Sequence, residues 1–129
     1  MKFSQRLFLI AGVYGLLCLV PMYFLESYLG EQDPPPITHP EFYYGFVGVA
    51  AAWQVLFLLM SKNPLAYRPL IPAAVLEKLT YGVAVLVLLM QGRLSAGSMM
   101  MGGCVDLVLA GLFAYAYVLL GRVTSRSAP

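Results

Sequence analysis

The sequence predicts an all-α integral membrane protein, a four-helix bundle with both termini cytoplasmic, and three observations carry that prediction. The first is the balance of residue types: 60% of the 129 residues are hydrophobic and 11% charged, with mean hydropathy +0.79, against roughly half apolar and a quarter charged in an ordinary soluble domain. Eight basic and six acidic side chains cannot cover the surface of a water-soluble fold this size, and a disordered chain would be poor in apolar residues. The second is the run length. Four continuous apolar stretches approach the roughly 20 residues a helix needs to cross hydrocarbon, and none alternates as a barrel strand would. The third is charge placement, since six of the eight basic residues flank those runs on one side and only Arg93 falls in a loop on the other.

Span one, residues 7–25, holds no charge and follows Lys2 and Arg6. A basic start before an apolar run imitates a secretory signal, but this run is longer than a typical signal core. Val20-Pro21-Met22-Tyr23 offers no A-x-A-like cleavage site, so span one is read as retained. Cleavage would leave three spans and put the new N-terminus outside. The connection over residues 26–41 is acidic, with Glu26, Glu31, Asp33 and Glu41. Pro34-Pro35-Pro36 there favours a stiff polyproline II spacer. Thr38-His39-Pro40-Glu41 reads as a helix start, Thr38 and Glu41 forming a capping box with Pro40 in the first turn. His39 with Glu41 and Asp33 is the one metal-ligand combination, and without a second His or Cys nearby the capped helix end is the preferred reading.

Span two, residues 42–60, is uncharged. The connection over 61–69 contains Asn63-Pro64, a cap-plus-proline start, and sets Tyr67 and Arg68 at headgroup level. Span three, residues 70–90, encloses Glu77-Lys78; a short loop with Arg93 leads to span four, residues 97–120, which encloses Asp106. Lys2, Arg6, Lys62, Arg68, Arg122 and Arg126 then share one side, the cytoplasmic one. Scattered at membrane edges, they give no nucleic-acid footprint.

Charged groups at membrane depth are costly and usually face a bundle interior, which makes them the functional candidates. Counted from the cytoplasmic boundary, Tyr14, Gln54, Glu77 and Lys78 come out at about 10 to 12 Å, one polar layer, and Asp106 nearer ~21 Å. Tyr81, one turn beyond Glu77 on the same face, could bridge towards Asp106. Lys78 can snorkel to the headgroups or reach a carboxylate on another helix. Glu77 supports two readings: a carboxylate for proton coupling or for holding a cationic or hydroxylated ligand, or a clamp with Gln54 and Tyr14 that fixes helix packing.

Small residues recur in the spans, in Gly48-x-x-x-Ala52, Ala110-x-x-x-Ala114 and at Gly102, Gly103 and Gly111, and they favour close helix packing over a roomy channel. Met99-Met100-Met101 points around its helix and reads as gap-filling rather than a soft-metal site. Cys18 and Cys104 form no C-x-x-C pair, and a single His rules out a haem held by two intramembrane histidines. No cofactor or metal is assigned.

His39-Pro40-Glu41-Phe42-Tyr43-Tyr44-Gly45-Phe46 opening span two, then Trp53-Gln54, Asn63-Pro64 with Tyr67-Arg68-Pro69, and Leu76-Glu77-Lys78-Leu79 in span three, resemble small four-helix bacterial membrane proteins of the broad DoxX-like type. The resemblance covers about residues 7–120. It implies a four-helix bundle in a bacterial inner membrane and supplies no catalytic residues.

Three function classes stay open. The leading one is a non-enzymatic, accessory or structural membrane component, whose partners are the lipid bilayer and either further copies of the chain or a larger membrane complex. The second is a proton-coupled small-molecule transporter using Glu77 and Asp106, although four-helix multidrug exporters carry a carboxylate in their first helix and this chain has none there. The third is a membrane enzyme acting on a lipid or isoprenoid, with Glu77 as acid/base and Lys78 or Tyr81 orienting the substrate.

Overall fold

A computed structural model describes residues 1–32 and 34–126, with side chains through 123. Its regular structure is helical throughout, with no strand among the described residues. Five α-helices follow in order: α1 (Lys2–Met22), α2 (Glu26–Gln32), α3 (Pro40–Lys62), α4 (Ile71–Met90) and α5 (Ser98–Arg126), with a 3-10 turn over Arg68–Leu70 leading into α4. Four stretches are long and apolar enough to cross a membrane: Lys2–Met22, Pro40–Lys62, Arg68–Met90 and Ser98–Val123. Leu17 at 72%, Phe42 at 72% and Met90 at 82% exposure present large apolar side chains outward, as a multi-pass chain solvated by lipid does and a soluble monomer rarely does.

The ends differ from the sequence expectation in ways that follow from backbone chemistry. α1 starts five residues earlier than span one and stops at Met22 rather than Leu25. Pro21 lacks an N–H, and the chain behind it winds down through i+3 bonds, from Phe24 N–H to the Pro21 carbonyl (2.9 Å) and from Leu25 N–H to that of Met22 (3.2 Å). The long connection contains α2, a short helix that no apolar periodicity announces. α3 begins at Pro40, so His39 rather than Thr38 stands at the cap, its carbonyl accepting from Phe42 N–H at 3.1 Å. Glu41 meets the His39 ring, with Nδ1–H donating to Oε1 at 3.2 Å. Asp33, the third member of the metal-ligand combination that the capped helix end was preferred to, lies outside the described residues. Asn63 does turn the chain at the next connection, its Oδ1 accepting from Ala66 N–H at 3.2 Å.

α4 ends where expected, at Met90. Gly92 has φ +67°; its N–H bonds the Leu89 carbonyl at 3.0 Å and that of Arg93 the Leu88 carbonyl at 2.9 Å, the paired bonds of a Schellman stop. α5 runs on to Arg126, beyond the expected end at residue 120.

The described residues form two compact units, those within 8–62 and those within 1–7 together with 63–126. In the first, α1 and α3 run antiparallel: Phe8 packs on Phe57 with ring centroids 6.2 Å apart, and Tyr23 stacks on Tyr44 at 6.0 Å. At Gly12 an added Cβ would stand 2.9 Å from the Gln54 carbonyl oxygen, and at Gly15 it would overlap the Gln54 side chain. Tyr43 donates its hydroxyl to the Met22 carbonyl at 2.6 Å, and Tyr44 donates to Glu26 Oε2 at 2.7 Å, so two tyrosines of α3 tie down the end of α1 and the start of α2.

In the second unit α4 and α5 are antiparallel, and glycine again sets the approach. A Cβ added at Gly82 would lie 3.1 Å from the Gly103 carbonyl oxygen, and one at Gly103 would lie 2.6 Å from Val85 Cβ. The buried stripe of α4 is Ile71, Ala74, Lys78, Gly82 and Val85, a spacing of threes and fours that marks one helix face. Four of these five are apolar or glycine; the middle one is a lysine.

Candidate functional site

That lysine organises the site. Lys78 sits at the centre of the α4 stripe facing α5, with its side chain 6% exposed. Its Nζ lies 3.1 Å from Asp106 Oδ1 on α5, whose side chain is 15% exposed. On its own helix it donates to Glu77 Oε1 at 3.4 Å and lies 3.3 Å from Oε2, the Glu77 side chain being 17% exposed. Only the first of those two approaches has hydrogen-bond geometry, and Glu77 Oε2 is buried without a donor. One ammonium therefore serves two carboxylates on two helices.

Glu77 and Lys78 leave the helix about 100° apart. The lysine stem, long enough to turn, brings its charge back to Glu77 while remaining in the α4–α5 seam. Of the two routes expected for Lys78, towards the headgroups or to a carboxylate on another helix, the second is the one observed.

The depth expected for Asp106 needs correction. Arg68 at the start of the 3-10 turn meets Tyr117 on α5, its Nε donating to the Tyr117 carbonyl at 3.2 Å. From that level Lys78 lies about 15 Å along α4 and Asp106 about 17 Å along α5, at 1.5 Å per residue. The expected separation of two turns came from equating Leu70 with Leu120, whereas α5 continues to Arg126 and its residue level with the start of α4 is nearer Tyr117. The reach of the lysine side chain covers the remaining difference.

Tyr81 directs its hydroxyl to Met99 Sδ at 3.6 Å, about two turns from Asp106 on α5. Gln54 and Tyr14 belong to the 8–62 unit. Gln54 is 2% exposed and donates its amide to the Ala50 carbonyl one turn back at 3.1 Å. Tyr14, expected in the interior layer, is 43% exposed, with Gly12 and Gly15 taking the buried positions beside it. Among the described residues no group of three or more His, Cys, Asp or Glu is placed to hold a metal ion.

Sequence reasoning set Arg68 at the headgroups and missed its second role. Its guanidinium lies 4.1 Å over the Tyr117 ring and fills the space above Gly121, where an added Cβ would stand 2.7 Å from Nη2. A glycine one turn beyond an aromatic, opposite an arginine, is the available signal. Its meaning depends on knowing the α4–α5 register.

The chain is thus an all-helical protein with four candidate membrane spans and a buried three-charge cluster between the last two. In comparisons with known proteins, no family model, no curated protein and no solved structure matches it.

Proposed function

We propose that the protein is a non-enzymatic, accessory component of a bacterial inner membrane. In this reading its four spans form one bundle with both termini cytoplasmic, and it is related to the DoxX-like proteins it resembles. The observation that carries the reading is how the intramembrane charges are used: Lys78 is spent on Asp106 and Glu77, tying α4 to α5. Charge consumed in holding two helices together is charge placed for packing. The connections point the same way, since the loop after α4 is closed by a Schellman turn and that after α3 by an Asn63 turn, and neither is long enough to carry a separate domain. The basic residues Lys2, Arg6, Lys62, Arg68, Arg122 and Arg126 support the cytoplasmic side.

Native electrophoresis of the full chain, extracted in mild detergent and cross-linked in intact membranes, tests this. The expected result is one species heavier than the chain alone, with both termini labelled only after the cytoplasmic face is opened. A monomer without partners in the membrane overturns the accessory role.

A second reading, proton-coupled transport of a small molecule, is favoured by one feature: the cluster has two carboxylates for one ammonium. Uptake into vesicles that is unchanged by Glu77→Gln and Asp106→Asn would reject it.

A further inference from the structure

Four of the six acidic residues, Glu26, Glu31, Asp33 and Glu41, lie in the first connection or at its edge. Glu77 and Asp106 are the two carboxylates within the spans, and Lys78 is the cation between them. The elements packed closely on α4 are α5 and the 3-10 turn. They bring Asp106 and Arg68 respectively, and Arg68 is committed to Tyr117 some 15 Å along the helix. Tyr81, the remaining titratable group of α4, directs its hydroxyl to Met99 Sδ and lies close enough to Asp106 to feel its charge. With all three groups ionised the cluster carries one uncompensated negative charge, which a hydrocarbon surround strongly disfavours.

The hydrogen bonding is short by the same amount. Lys78 donates to Glu77 Oε1 and approaches Asp106 Oδ1, while the buried Glu77 Oε2 receives no donor. A metal ion would need the place between the carboxylates, and the Lys78 ammonium stands there at 3.1 to 3.4 Å from both. A proton needs no such place. Added to either carboxylate, it brings the cluster to neutrality and turns one acceptor oxygen into an O–H donor.

We propose that Glu77 and Asp106 share a single exchangeable proton, with Lys78 as the fixed counter-charge, so that the α4–α5 pair is a one-proton binding site. The proton comes from water and returns to it, carboxylate plus proton giving carboxylic acid, and no other bond changes. The two carboxyls titrate as a pair. The proposal rests on α4 and α5 being membrane spans and is independent of whether anything is transported.

The test is infrared spectroscopy of the full chain in lipid nanodiscs, following the carbonyl stretch of a protonated carboxyl through a pH series in H2O and D2O. Wild type is expected to show one such band at neutral pH, of one carboxyl equivalent and shifted in D2O. Glu77→Gln and Asp106→Asn should each abolish it, because Lys78 then balances the carboxylate that remains, and Lys78→Met should double it. A wild type with no band, or a band that persists in either Glu77→Gln or Asp106→Asn, overturns the shared proton. Lipid-bound protein without the band defeats this proposal alone; a chain that stays in solution without lipid defeats the span reading, and the proposal with it.

Discussion

The α1–α3 pair and the α4–α5 pair are both antiparallel and both closed over glycine, yet they bury polar groups in opposite ways. Gln54, at 2% exposure, finds its partner one turn back on its own helix, at the Ala50 carbonyl. Lys78, at 5% exposure, finds a partner across the seam on α5 as well as on α4. A neutral amide can be satisfied locally because one hydrogen bond offsets most of its desolvation. A charge at the same depth needs an opposite charge, and here the nearest adequate supply includes the neighbouring helix. The first pair is therefore held by shape and a neutral hydrogen bond from Tyr43, and the second by shape together with charge.

The sharpest way to break this comparison is to remove the central polar group of each pair. Lys78→Met removes the cation that both carboxyls share, forcing them to take up protons or remain as unpaired buried charge, and should cost about 3 kcal/mol, the scale for removing one partner of a buried ion pair. Gln54→Leu deletes a group satisfied within its own helix and should cost under ~1 kcal/mol. Unfolding in mixed micelles with increasing SDS, followed by circular dichroism, measures both. Equal losses would mean that the charge cluster contributes no more to the fold than a buried amide.

A second comparison lies within α5. Gly103→Ala places a methyl 2.6 Å from Val85 Cβ, an atom fixed to the α4 backbone that no rotamer change can move. The helices must separate, at a cost of about 1 to 3 kcal/mol. Gly111→Ala, on the same helix with nothing within 4 Å of the new methyl, should be neutral or stabilising by up to ~1 kcal/mol through helix propensity. The same unfolding series checks the pair. A loss at Gly111 matching that at Gly103 would show that α5 carries a second contact face.

Much of the fold was legible, and the reason is specific. Run length and composition register long apolar helices directly, so the four could be read from hydropathy to within a few residues of most ends. What could not be read depends on register between helices. Lys78 was open to two routes, the headgroups or a carboxylate on another helix, and residue type alone could not choose between them. Yet Lys78 lies on the line Ile71, Ala74, Gly82, Val85, and that three-four spacing was present in the sequence as a buried stripe with a lysine at its centre. Asp106 was set about two turns away from Lys78 because the C-terminal end of α5 was taken from where hydrophobicity fades, and an antiparallel pair is aligned by its contacts. The Gly82–Gly103 approach was half legible: Gly103 stood out among small residues, but its counterpart on α4 lacks any small-xxx-small pattern. α2 gave no signal because seven residues with one buried glycine carry no periodicity to detect.

The smallest effects belong to the two side chains that bind a backbone carbonyl on a neighbouring helix, one in each pair. Tyr43→Phe keeps the ring and removes the hydroxyl donated to the Met22 carbonyl, with an expected loss of about 1 kcal/mol. Arg68→Lys keeps the charge, but an ammonium cannot both donate as Nε does to the Tyr117 carbonyl and lie flat over the Tyr117 ring, and the expected loss is ~0.5 to 1 kcal/mol. Global unfolding barely separates such values, so the discriminating measurement is amide hydrogen exchange by segment. Tyr43→Phe should speed exchange just past the end of α1, where the Phe24 and Leu25 N–H groups are held by i+3 bonds alone. Arg68→Lys should speed it at the 3-10 turn entering α4, whose Leu70 N–H bonds the Tyr67 carbonyl. Faster exchange along the whole of α4 and α5 in Arg68→Lys would move Arg68 from a local tie to a determinant of the same seam that Lys78 holds, and the contrast between the two pairs would then extend to the end of α4 that begins at the 3-10 turn.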